Sequence, residues 1–322
     1  MDRLAEMWEI QRRFNNNFID PKNAYIDEKV AYVKEMLLHL VAEMDELLAA
    51  TGRWKKQRFV NASPTMSGIL EEGIDMLKFL INIFITFGIT ADEVYEEFKR
   101  KSLVVEERFK WEQTLHNLKP TDKVAAIDLD GVLARYPENW IAYLNENLGT
   151  QYTLQDVEFT EVPFPEIPRS KYFELKHKFR DEGFESLYVE PFEDAATFTE
   201  ALKELGYKIV ILSARPYQKY KRIQSDTIMW MKKHGIKYDA FIWDEKKHLR
   251  ILSEVPQVEF IVEDDPRVAL EVAACGYTCF LRDRPYNRNT TQSPNIIRVR
   301  TLSEIIEKLK GGVKNESKNS LG

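Results

Sequence analysis

Two cysteines in 322 residues are too few for a disulfide framework, and the x3 spacing of Cys275 and Cys279, with no histidine pair nearby, makes a poor zinc site. Both read as small core residues. Long apolar runs are also missing: the longest, Met76 to Ile89, is interrupted by Lys78 and Asn82 and falls short of the ~20 residues a membrane span needs. The start, Met1-Asp2-Arg3, lacks a basic-then-apolar leader, so a cytoplasmic protein with no membrane partner is expected. There is no excess of positive charge. Lys+Arg 46 against Asp+Glu 52 gives a net charge of −6, which argues against broad capture of a nucleic-acid backbone and in favour of small phosphate ligands. No internal repeat is present. What is there, 44% hydrophobic and 30% charged residues with 13 Gly and 13 Pro, is an ordinary globular composition, long enough for two domains at about 100–200 residues each.

Residues from about 28 to 112 read as helices, with Val33, Met36, Leu37, Leu40, Val41, Met44, Leu47 and Leu48 recurring at steps of three and four. Ile69 to Phe87 is apolar almost all the way round, which predicts a helix at the centre of a bundle. Gly88-Ile89-Thr90 closes it and offers Thr90 as the N-cap of a helix from Asp92 to about Lys110, with Glu93 in the capping-box position. Trp8, Phe14 and Phe18 are expected to pack on this bundle or on a sister subunit. After Pro120 the period changes. Strand-like runs at Val124–Ile127, Ile209–Leu212, Ala240–Trp243, Glu259–Val262, Tyr277–Leu281 and Ile296–Val299 alternate with helical patterns such as Thr197–Leu205 and Arg222–His234. This predicts a parallel α/β sheet covered on both faces. The stretch from about 136 to 195 has helical pieces and a proline-rich turn but no β run, and reads as an inserted cap. The expected organisation is an all-α domain over 1–117, an α/β domain over 120–311 and a polar, mobile tail over 312–322.

Glu43 and Glu46 stand three apart on one predicted helix and Glu72 and Asp75 three apart on the next, so each pair projects from one helical face. Glu72 and Asp75 interrupt the most apolar helix of the chain, where an unpaired carboxylate is costly to bury and a shared divalent cation offsets that cost. Four convergent carboxylates suit Mg²⁺ holding a polyphosphate; the plainer alternative is that Glu43 and Glu46 line a solvated face. Glu43-x-x-Glu46, Trp54-Lys55, Glu71 to Phe79, and Tyr95 to Phe109 with Lys101 and Arg108 together resemble the all-α nucleoside triphosphate pyrophosphohydrolases, the superfamily of dimeric dUTPases and MazG. The resemblance covers about residues 28–112 and implies hydrolysis between the α- and β-phosphates. It implies Mg²⁺ on Glu43, Glu46, Glu72 and Asp75, with Lys55, Lys101 and Arg108 on the substrate side. Trp54-Lys55 is nearest the dUTPase branch. Val105 stands where dimeric dUTPases carry asparagine, and Val105-x-x-Arg108-Phe109 is nearer to MazG.

Val124 to Ile127 leads into Asp128-Leu129-Asp130-Gly131-Val132-Leu133, which places two acids at the carboxyl edge of a sheet, where open α/β folds bind ligands. Ile209 to Leu212 leads into Ser213-Ala214-Arg215, and Phe260 to Val262 into Glu263-Asp264-Asp265. Three strand ends delivering polar groups to one rim suit phosphoryl transfer through a carboxylate nucleophile. The continuation of a calcium loop is absent, since Val132 follows the glycine and position 139 is Asn139. Over about residues 122–311 these motifs resemble the haloacid dehalogenase-like phosphatases, with a Rossmann-like fold and a small helical cap. The resemblance implies Asp128 as nucleophile, Asp130 as general acid/base, Ser213 and Arg215 at the phosphate, and Mg²⁺ on Asp128, Asp130, Glu263 and Asp264. Lys246 and Lys247 both follow the Ala240–Trp243 run, and Lys247 is favoured as the catalytic lysine. Asp-Gly-Val-Leu-Ala, the small insert and Asp283-Arg284-Pro285-Tyr286-Asn287-Arg288 look most like deoxyribonucleotidases. That last run is expected either to contact substrate or, as is commoner for an Arg/Asn-rich loop, to be solvated, and the basic clusters Lys219 to Arg222 and Lys246 to His248 read as solvated faces or phosphate-approach residues.

The joint expectation is a bifunctional nucleotide hydrolase, cytoplasmic and Mg²⁺-dependent at both sites, with nucleotide substrates and a dimer or tetramer formed through the helical domain. The alternative is a polynucleotide 3′-phosphatase whose helical half is an assembly module.

Overall fold

The computed structural model describes residues 2–52, 64–157, 164–289 and 293–319, with side chains as far as Gly311. The chain divides into two compact units, Met1–Lys101 and Ser102–Gly322.

The first unit is helical: α1 (Arg3–Asn15), α2 (Ile26–Ala50), α3 (Met66–Thr86) and the start of α4 (Ala91–His116). Thr90 and Glu93 form the expected capping box, Glu93 accepting from the Thr90 backbone N–H at 2.8 Å and the Glu93 N–H donating to Thr90 Oγ1 at 3.2 Å. Trp8 of α1 is buried and stacks on Phe84 of α3 at 6.1 Å, whereas Phe14 and Phe18 are exposed. Two of the three residues that α1 buries, Gln11 and Asn15, are polar. Gln11 donates to Asn82 at 2.8 Å, and Tyr32 donates to Asn15 at 2.7 Å. Contrary to expectation, α3 does not lie at the centre of a bundle: Ile81, Asn82, Ile85 and Thr86 are buried, but Leu70, Ile74, Leu77 and Leu80 are exposed. The described helices pack on one side of α3 and leave its other side uncovered.

The second unit is built on a six-stranded sheet: β1 (Val124–Asp128), β2 (Lys208–Ser213), β3 (Ala240–Trp243), β4 (Val258–Glu263), β5 (Thr278–Arg282) and β6 (Ile296–Val299). All neighbours are parallel, in the order β3-β2-β1-β4-β5-β6. Burial on both faces explains why the inner strands, β1 above all, read as apolar runs. Helices α7 (Ala195–Glu204), α8 (Ile223–Lys233), α9 (Lys247–Glu254), α10 (Pro266–Ala274) and α11 (Leu302–Asn319) alternate with them. Between β1 and α7 lies the cap, with α5 (Glu138–Leu148) and α6 (Arg169–Asp181). The cap has its own core around Trp140, Tyr143, Tyr172 and Phe179.

The division between units falls inside α4 rather than at the 117–120 break. Trp111 of α4 packs against Phe241 of β3 at 5.4 Å, and Glu107 accepts from Lys232 of α8 at 3.1 Å. The two cysteines also differ from expectation. Cys279, on β5, is buried, but Cys275, the C-cap of α10, is exposed. The tail expected from 312 lies wholly outside the described side chains. Among the described residues no single helix is long and apolar enough to cross a membrane.

Candidate active site

The rim where β1, β2 and β4 end carries the acidic groups of the second unit. Asp128 closes β1, Ser213 closes β2 and Glu263 closes β4, and Asp264 follows at once. Carboxylate oxygens of Asp128, Glu263 and Asp264 lie within 4.8 Å of one another, and all three residues are buried. Lys247, the first residue of α9, reaches between them, its Nζ donating to Asp128 Oδ1 at 2.5 Å and to Glu263 Oε2 at 3.0 Å. Lys246 is exposed, and its backbone N–H donates to Asp244. Of the two readings open for the basic clusters, a solvated face or an approach to phosphate, Lys247 and Tyr220 do not fit the first, since both are buried.

Burial pushes the Asp128 and Asp264 carboxyls well above the ordinary range, and the Glu263 charge adds to this. Burial works against the Lys247 ammonium, but Asp128 and Glu263 outweigh it and raise its pKa. Three carboxyl groups whose oxygens converge on one point form an all-oxygen site that fits a divalent hard cation such as Mg²⁺.

Asp130 stands apart from this trio. Both its oxygens accept from Arg215, at 2.9 Å from Nε and 2.6 Å from Nη2, while Arg215 Nη1 donates to Thr227 at 2.9 Å. The expected membership of the Asp130 carboxylate in the metal set is not what the geometry shows. Ser213 Oγ accepts the Arg215 backbone N–H at 3.2 Å, which leaves the hydroxyl proton for another acceptor.

Above the rim is a cavity of about 300 Å³, with Asp128, Asp130 and Lys247 on its floor and Tyr136, Trp140 and Arg180 among its cap wall. Behind that wall the fully buried Lys176 donates to Tyr136 at 2.6 Å and pairs with Glu185 at 3.2 Å, and Arg180 Nε donates to both Glu185 oxygens at 2.9 and 3.1 Å. No motif in the sequence marks this network, which joins α6 to the loop after it. The run after β5 is not the solvated loop that its Arg/Asn content suggests. Arg284 and Asn287 are buried, and the Tyr286 hydroxyl donates to Asp264 Oδ2.

In the first unit Glu43, Glu46 and Glu72 bring carboxylate oxygens within 4.8 Å of one another, half-buried to exposed. Partial desolvation, then Glu46 and Glu43, raise the Glu72 carboxyl. Asp75 is not one of this group and pairs with Lys78 at 3.0 Å. Neither Glu72 nor Asp75 is fully buried on α3, because that side of the helix is open. His39 stacks on Phe79 at 5.4 Å. Lys55 lies outside the described residues. Lys101 is the last residue of the first unit, and Arg108, in the second, donates to Gln224 Oε1 at 3.4 Å.

Residues 122–309 match the family described as "5' nucleotidase, deoxy (Pyrimidine), cytosolic type C protein", and residues 3–138 match the family described as dUTPase. No curated protein matches the chain significantly. Among solved structures, a predicted phosphoglycolate phosphatase from Haemophilus somnus 129pt is similar at 15% identity and a TM-score of 0.44, over 60% of this chain and 100% of that one. A HAD phosphatase from Thermococcus onnurineus is similar at 18% identity and a TM-score of 0.32, over 58% of this chain and 97% of that one. Likeness at this level says nothing about substrate.

Proposed function

The chain belongs to the family of deoxy (pyrimidine) 5′ nucleotidases, cytosolic type C, and from that premise we propose a two-step nucleotide hydrolase. The first unit hydrolyses a (deoxy)nucleoside triphosphate to monophosphate and pyrophosphate; the second removes phosphate from the monophosphate. The observation that carries the second step is the meeting of Asp128, Glu263, Asp264 and Lys247 under the capped cavity.

In this reading an Asp128 oxygen attacks phosphorus, the bond from phosphorus to the nucleoside oxygen breaks, and Asp130 gives that oxygen a proton. Water then attacks the aspartyl-phosphate, Asp130 takes its proton, and orthophosphate leaves. Ser213 donates its free hydroxyl proton to a phosphoryl oxygen. Lys247 has three N–H groups, two of them used on Asp128 and Glu263, and offers the third to the phosphoryl group. Mg²⁺ held by Asp128, Glu263 and Asp264 supplies positive charge against the phosphoryl oxygens when bound. Arg215 keeps Asp130 in place.

The first step is supported by the dUTPase match and by the trio Glu43, Glu46 and Glu72, which would hold a second Mg²⁺. Lys101 is proposed at the phosphates. Self-association through the helical unit belongs to the same reading, supported by the exposed Leu38 and Val41 on α2 and Leu70 and Ile74 on α3. A cytoplasmic setting is supported by the family's description. A cavity of about 300 Å³ under a cap favours a mononucleotide over the end of a polynucleotide.

The test is incubation of the full chain with each dNTP and Mg²⁺, reading pyrophosphate, orthophosphate and nucleoside. Asp128→Asn is expected to release pyrophosphate and accumulate monophosphate, and Glu72→Gln to keep only monophosphatase activity. Orthophosphate as the sole phosphate product, or faster dephosphorylation of a 3′-phosphorylated oligonucleotide than of a mononucleotide, overturns the reading.

A further inference from the structure

The loop after β5 runs from the sheet to the first residue of the cap. Glu138, at the start of α5, accepts from Arg284 Nη2, and Arg284 Nε donates to the Tyr286 hydroxyl oxygen at 3.3 Å. With its oxygen accepting from a guanidinium, that hydroxyl turns its proton to Asp264 Oδ2. Donation from a cation polarises the O–H and strengthens the second bond. The loop is also fastened to the backbone beside Asp264: Asn287 Nδ2 donates to the Asp264 carbonyl at 2.8 Å and to the Arg282 carbonyl at 2.7 Å, and Asn287 Oδ1 accepts from Arg298 at 2.7 Å. On the other side, the bare Cα of Gly131 closes against the same carboxylate.

We propose that Tyr286 is a positioning residue for the metal-binding carboxylate Asp264, and that Glu138 and Arg284 make its hold depend on the seating of the cap. The inference rests on Asp128, Glu263 and Asp264 holding a divalent cation. Tyr286 occupies one Asp264 oxygen and so fixes how the other is presented. Partners of this kind around a ligating carboxylate commonly change metal affinity by about 10–100-fold when removed. Glu138 lies on the cap and Asp264 on the sheet, so seating the cap and binding the cation favour one another, and by linkage the coupling is reciprocal.

The experiment is a calorimetric titration of the full chain with Mn²⁺. The binding step that disappears in Asp264→Asn identifies the site; if no step disappears, the metal reading of the trio fails and takes this proposal with it. Tyr286→Phe, which removes only the hydroxyl, is expected to weaken that step ~10-fold or more. Glu138→Ala, a half-exposed change that touches no cation ligand, is expected to weaken it several-fold, and the double variant is expected to be no weaker than Tyr286→Phe alone. Parental affinity in Tyr286→Phe, or additive losses in the double variant, overturns the proposal while leaving the trio intact as a metal site. If Tyr286→Phe does not fold, Glu138→Ala decides, and unchanged Mn²⁺ affinity in it is the overturning result.

Discussion

Gly131 and Asp264 are in such close contact that a Cβ on the glycine would sit 1.9 Å from Oδ2 and 2.8 Å from Oδ1 of the carboxylate. The glycine also has φ +80°, where an L side chain costs ~1–2 kcal/mol. Gly131→Ala is therefore expected to lower the melting temperature of the second unit and to displace Asp264, with a loss of monophosphatase activity of ~100-fold. A variant with parental melting and turnover would show that the close approach has no consequence.

Lys247 is the cation between two buried carboxylates, and removing one partner of a buried ionic group costs about 3–5 kcal/mol. Lys247→Met is expected to be destabilised by that order in urea unfolding. The deficit should shrink as pH falls. A carboxyl whose folded pKa is raised, as Asp128's is, binds its proton more tightly folded than unfolded, so protonation restores stability. A deficit that stays constant down to pH 5 would count against this.

Arg215 holds Asp130 by a two-pronged fork that lysine, a single point charge, does not reproduce. Arg215→Lys is expected to cut kcat ~100-fold with little change in KM, because the loss falls on the placement of the acid/base rather than on substrate capture. A rise in KM at constant kcat would assign Arg215 to binding instead.

Burial pulls the Lys176 ammonium down to about 8, against the pull of Glu185. Between pH 8 and 10.5 the unfolded chain then holds this proton more tightly than the folded one, so stability gains from rising pH, by up to roughly 3 kcal/mol. Measured against Lys176→Met, the parent should improve steadily across that window. A difference that stays flat from pH 7 to 10 refutes the prediction.

The inner strands were legible because burial on both faces makes them read as apolar runs, as Ile209–Leu212 does. The Thr90–Glu93 box was legible because capping is a local matter. Helix α1 was not, since the face it buries includes Gln11 and Asn15, which pair with Asn82 and Tyr32 instead of forming an apolar stripe. The exposure of Leu70 and Ile74 depends on what lies beyond α3, which periodicity does not report. In the second unit Asp128, Glu263 and Asp264 announced themselves by ending strands, and Lys247 by following one. Arg284 and Tyr286 did not. Their placement is decided by the loop after β5 folding back onto Asp264 at the end of the neighbouring strand, with no spacing rule to reveal it.

Cys279 sits inside the sheet on β5, with burial pushing its thiol pKa up, while Cys275 faces solvent and the first unit contains no cysteine. A thiol-reactive dye should label one sulfur per native chain and the second only when the sheet opens. The molecule thus carries its own clock for breathing of the α/β unit, silent to any fraying of the helices before it.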